Sequence, residues 1–143
     1  MTLTKQVALF LNDNVADITF DETGTSGNTY INKLPEFENS IGIFTKAGSP
    51  ILSKNVGTGS LEKGIKLQVR GTKNGLETEE LANKIYNVLT SFSGLLTPGG
   101  DCITICKAQQ SSPNYIGTDV KGNVMMTINY KFLLVDNNVI NNN

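Results

Sequence analysis

Ile65-Lys66-Leu67-Gln68-Val69-Arg70 alternates apolar and polar residues without a break. That period of two sets Ile65, Leu67 and Val69 on one face of a β-strand and the polar residues on the other. Gly71 ends the strand, and Asn74 followed by Glu77 is a helix-start signal. Leu81, Ala82, Ile85, Val88, Leu89 and Phe92 then recur at helical spacing, so a helix packs through this stripe until Gly94, Pro98, Gly99 and Gly100 stop it. Glu77, Glu79 and Glu80 fall in its first turns, where the helix dipole favours acids. Downstream, Asp101–Lys107 and Val124–Val135 both alternate as strands and should pair as antiparallel neighbours. In the longer one Val124, Met126, Ile128, Tyr130, Phe132 and Leu134 share a face. The segment between them, Ala108–Asn123, is loop chemistry apart from Tyr115.

Upstream, Leu3, Val7, Phe10 and Leu11 form one apolar stripe of a short first helix, with Thr2 as its cap. Asp13–Asn28 reads as a turn region with at most one weak strand. Thr29–Leu34 and Ile41–Lys46 are β-rich runs separated by Pro35–Ser40, which suits two antiparallel strands. Ala47–Lys63 is too long for a tight turn. It is either a mobile or functional loop or an extended hairpin arm. The expected fold is α+β: an antiparallel or mixed sheet with two helices on one face and long loops or a hairpin arm, one domain over residues 1–136. Residues 137–143 are an Asn-rich tail.

At 143 residues the chain suits one domain. Hydrophobic residues make up 38% and charged ones 17%, so a core can form beneath a surface that is polar rather than ionic. The net charge of −1 lacks the basic footprint of a protein that grips nucleic acid. Histidine is absent, which excludes His-dependent triads and the commonest metal ligand. No run is long and apolar enough for a membrane span and no cleavable leader is evident, so the expectation is a soluble chain made in a cytoplasm. Cys102 and Cys106 sit on one face of an ideal strand about 13 Å apart, too far to bridge and wrongly spaced for zinc. Both read as buried thiols.

Sites for chemistry are scarce. Glu36 with Glu38 and Glu79 with Glu80 read as solvated carboxylates, and Gly57-Thr58-Gly59-Ser60 lacks the Gly-Lys-Ser/Thr of a phosphate loop. No catalytic residue, cofactor or metal is expected. Tyr115 is either tucked down as an anchor of its loop or exposed as a contact, and the anchor reading takes precedence. Ile51 and Leu52 offer either hairpin packing or an apolar tip that docks on a neighbouring subunit, and the contact is preferred.

Ile65–Gly71, the helical Ala82–Leu89, the run Cys102-Ile103-Thr104-Ile105-Cys106-Lys107-Ala108-Gln109-Gln110-Ser111-Ser112-Pro113-Asn114-Tyr115-Ile116-Gly117-Thr118-Asp119, and the closing strand through Phe132 together resemble the tail terminator and minor capsid proteins of tailed bacteriophages. In that family a strand ending in Arg-Gly is followed by a helix, a strand, a loop like Gln-Gln-x-x-Pro-x-Tyr-x-Gly-x-Asp and a long last strand. The resemblance spans Gly64–Phe132. It implies a virion protein that forms a six-membered ring on the tail tube, stops its growth and joins it to the neck. The implied partners are further copies of the chain, the major tail tube protein, a neck or head-completion protein and, in a contractile tail, the sheath. DNA would only pass through the lumen, and no membrane is involved. On this reading Ala47–Lys63, with Ile51, Leu52, Lys54 and Asn55, is one contact arm. Gln109–Lys121, with Gln109, Gln110 and Lys121, is a second contact loop anchored by Tyr115. The alternatives are a head-completion protein, or a ligand-binding or enzyme domain that uses the same loops as a pocket.

Overall fold

The structure, a computed structural model, describes residues 1–46 and 60–135. Helix α1, Leu3–Asn14, begins where the Thr2 hydroxyl accepts the Lys5 N–H at 3.2 Å. Strands β1 (Thr29–Ile31), β2 (Ser40–Lys46) and β3 (Ser60–Arg70) follow. Helix α2, Gly75–Leu89, is capped by the Asn74 side chain, which accepts from the N–H groups of Leu76 and Glu77. Both caps satisfy N–H groups that have no partner within the helix. Strands β4 (Gly94–Leu95), β5 (Cys102–Ala108), β6 (Asn114–Thr118) and β7 (Val124–Val135) complete the described elements.

The strands form one mixed sheet in the order β1-β2-β3-β7-β5-β4, with β6 also paired to β7. Strand β7 therefore has β3 along its whole length on one side, and β6 then β5 along the other. Registered rows such as Ile41–Val69–Met126 and Ile43–Leu67–Ile128 carry the apolar set across the sheet. Both helices lie over that face, α1 against β1 and β2 and α2 against β7 and β3, and one continuous core joins Val7, Leu11, Ile85 and Leu89 to it. The α+β class and the shared helix face agree with the sequence reading.

Several local expectations are corrected. Strands β1 and β2 run parallel, not antiparallel. The link between them turns at both Asn32 and Asn39, each at φ +56°, and two reversals restore the original direction. The long segment after β2 is shorter than its composition indicated, because residues 60–63 already belong to β3. Residues 47–59, including the Gly57–Gly59 run, lie outside the described residues. Helix α2 ends at Leu89 rather than near Gly94, since Ser91 at φ +67° turns the chain alongside β5. There the Ser91 N–H donates to the Cys106 carbonyl and the Cys106 N–H to that of Phe92, while the Phe92 ring meets Phe10 edge-on at 4.9 Å. Within the segment Asp13–Asn28, Asp13 and Asn14 complete α1, the rest forms only isolated bridges from Phe20, and the Asp21 carboxylate gathers the hydroxyls of Thr23, Thr25 and Ser26. Those hydrogen bonds hold its carboxyl well below the usual range.

The cysteines do not share a face. Ile103 pairs with Leu134 and Ile105 with Leu133, so one extra residue is inserted on β5 and its alternation flips. Cys102 is exposed and Cys106 fully buried.

Candidate assembly surface

The most distinctive surface lies at one edge of the sheet, where β6 meets the start of β7. Strand β6 pairs with β7 alone, and among the described residues no strand covers its outer side. An uncovered edge presents backbone donors and acceptors to any extended partner. Tyr115 opposes Met126 and Gly117 opposes Met125, which leaves Ile116 as an extra residue in a bulge where Gly117 adopts φ +119°. Tyr115 is 61% and Ile116 43% exposed. The expectation that Tyr115 tucks down as an anchor is thus overturned: it sits on a strand whose pleat finds no helix above it. The loop expected over Ala108–Asn123 contains this strand.

The anchoring falls to other residues. The Asp119 carboxylate accepts from the backbone N–H groups of Lys121 and Asn123 (both 2.9 Å), from the Asn123 amide (3.2 Å) and from the Arg70 guanidinium (2.6 Å). Burial raises the Asp119 pKa, but these four hydrogen bonds outweigh it and bring the group down to about 2. Arg70 also donates through Nε to the Pro35 carbonyl at 2.9 Å, and the Ser40 hydroxyl donates to the carbonyls of Pro35 and Phe37. The β6–β7 turn and the Pro35–Asn39 loop are fastened to the end of β3 by this chain of contacts. Val120, fully exposed, tips the first, and Phe37, 44% exposed, tips the second. Two shallow depressions of about 340 and 490 Å³ lie between them and share Glu36 and Lys121.

Gln109 and Gln110 serve the scaffold. Gln110 Oε1 accepts the Asn129 N–H at 2.9 Å, and its carbonyl accepts the Tyr86 hydroxyl at 2.9 Å, filling the gap on β7 between β5 and β6. Gln109 Oε1 accepts the Lys46 ammonium at 3.1 Å. Lys121 is exposed on the turn beside Val120. Ile51, Leu52, Lys54 and Asn55 lie outside the described residues. Sequence reasoning missed Phe37, Ile116 and Val120. The signal available was an isolated apolar residue amid turn chemistry, which marked Tyr115 alone.

Residues 14–136 match the family described as bacteriophage tail terminator protein. The chain belongs to the bacteriophage tail terminator family. That family is one of structural proteins of the phage tail. No curated protein matches the chain at a significant level. In this tail terminator the exposed edge offers hydrogen-bonding backbone and apolar side chains. Among the described residues no three His, Cys, Asp or Glu side chains gather to hold a metal, and no helix is long and apolar enough to cross a membrane.

Proposed function

We propose that this tail terminator assembles as a ring, a hexamer by family resemblance, on the head-proximal end of the tail tube. There it stops addition of further tube subunits and offers its other face to a neck or head-completion protein. The observation that carries this reading is the uncovered β6 edge with Tyr115, Ile116 and Val120 exposed around it. A strand edge beside an apolar strip fits docking by strand addition, in which backbone hydrogen bonds give affinity and side chains give register. Growth ends because the bound terminator presents no surface that recruits another tube subunit. The segment Ala47–Lys63 is proposed as a second contact arm on the strength of Ile51 and Leu52. DNA crosses the lumen without being gripped, and the sheath is a neighbour only if the tail contracts.

The test is a phage carrying Tyr115→Asp with Ile116→Asp. Both side chains are solvent-exposed, so thermal unfolding should shift little. Tails of uncontrolled length, or tails that fail to join heads, are expected by electron microscopy. Deleting Pro50–Ser60 should likewise leave a folded monomer that forms no ring. Tails of normal length and joining from both variants would reject the assignment. Occupancy of a different virion ring would transfer it to the head-completion reading. A persistent monomer that ignores tube protein and binds a small molecule would transfer it to a ligand-binding domain.

A further inference from the structure

The helix-free face of the sheet and the outer surface of α2 differ in sign of charge. Lys46, Gly64, Lys131 and Lys107 are direct register partners across β2, β3, β7 and β5. They alternate with the core-facing Phe132 and Cys106, so the amines stand on the helix-free face in a row about 14 Å long. Lys66, one step along β3, extends the row. Among β2, β3, β5 and β7 the one carboxylate is Glu62, 3.6 Å from Lys131. Lys107 directly opposes Lys131, and like charges so placed disfavour strand pairing. Glu62 offsets part of that cost at Lys131, and the row still carries more amines than carboxylates.

The outer surface of the helix layer has the opposite sign. Glu77, Glu79 and Glu80 are exposed on α2, and Glu77 and Glu80 border a depression of about 270 Å³ together with Asp17. Lys84, the cation there, is tied to Asp17 at 2.7 Å, which leaves the glutamates in excess. A row of amines and a group of carboxylates on opposite sides of one domain cannot meet within a single molecule. Pairing like face with like face would juxtapose equal charges. Successive copies stacked head to tail bring the two together, and a heterologous contact of this kind closes into a ring when its rotation permits.

We propose that the Lys46–Lys131–Lys107 row of one copy docks on the Glu77–Glu80 surface of α2 in the next. The proposal rests on the ring reading above and names the faces that form the subunit contact.

The test follows assembly of the full chain by light scattering over a range of concentrations. Lys107→Glu with Lys131→Glu, and separately Glu79→Lys with Glu80→Lys, should each raise the concentration needed for assembly on the order of tenfold. Joining the four substitutions in one chain should restore assembly to near the starting value, because the two signs are exchanged together. All four positions are exposed, and thermal unfolding of each variant checks that the fold survives. Raising salt to about 0.5 M should weaken the unsubstituted chain and the four-fold variant alike. Unchanged assembly in both pair variants would overturn the proposal, as would loss in both without rescue, or a monomer under every condition. So would reduced retention of double-stranded DNA by the lysine variant with assembly intact, since nucleic acid would then be the occupant. The ring reading is judged separately by tail length in the Tyr115 and Ile116 phage, so either can fail alone.

Discussion

Asp119 ties three pieces of chain together, and its protonation should be visible in the stability of the whole domain. Its folded pKa, about 2, lies below the ordinary aspartate value near 4. The unfolded chain therefore binds the proton more readily. The stabilisation is complete above about pH 4 and disappears as pH falls toward about 2. Asp21 acts in the same direction. Urea midpoints measured between about pH 2 and pH 5 should fall with acidity, and the slope should flatten in Asp119→Asn. An identical slope in that variant would remove Asp119 from the explanation. The cysteines give a second measurement. Burial raises the Cys106 thiol to about 12, whereas Cys102 is exposed. A thiol reagent at neutral pH should modify Cys102 rapidly and Cys106 only after denaturation. Period-two alternation assigned the same burial to both thiols. The inserted residue that separates them depends on how β5 meets β7, a partner-strand property that β5's own residues do not encode.

Elements whose signals are local were legible. Thr2 and Asn74 cap the helices where the sequence placed them, and β7 has the expected bounds, because capping and alternation are settled within a few residues. The parallel β1–β2 pair, the early stop of α2 and strand β6 depend on distant partners. Ser91 turns where β5 is waiting, and Asn114–Thr118 becomes a strand because β7 offers it an edge. The tight join between β3 and α2 is a case where local sequence understates constraint. A Cβ on Gly71 would collide with the Thr78 side chain, far inside van der Waals contact with its hydroxyl. That hydroxyl accepts from the Thr72 N–H at 3.1 Å and donates to the Asn74 carbonyl at 3.1 Å. Gly71→Ala must push α2 off the sheet or break these bonds, and it should lower unfolding free energy by about 2 kcal/mol or more. Chemical denaturation measures this, and Gly75→Ala, where the nearest atom is 3.9 Å away, is the control.

Strand β7 sits between the strands that precede α2 and those that follow it, and we propose that the described chain therefore unfolds as one cooperative unit. The strands before α2 meet those after it along the β3–β7 ladder, and β5 and β6 attach to the opposite edge of β7. The pairing of Ser60 with Val135 and of Arg70 with Met125 closes long loops before it contributes stability. Neither half then has a complete sheet by itself. Phe132 is fully buried, opposes Cys106 on one side and Lys63 on the other, and lies near Tyr130 with ring centroids 6.1 Å apart. Phe132→Ala should destabilise by about 3–5 kcal/mol. The loss should appear as a single transition in which far-ultraviolet circular dichroism and Cys106 reactivity move together. An early transition confined to Cys106, with the dichroism of the β1–β3 portion unchanged, would mean that this portion holds its structure without β7. The β3–β7 ladder would then be an interface between two separately stable units rather than the centre of one.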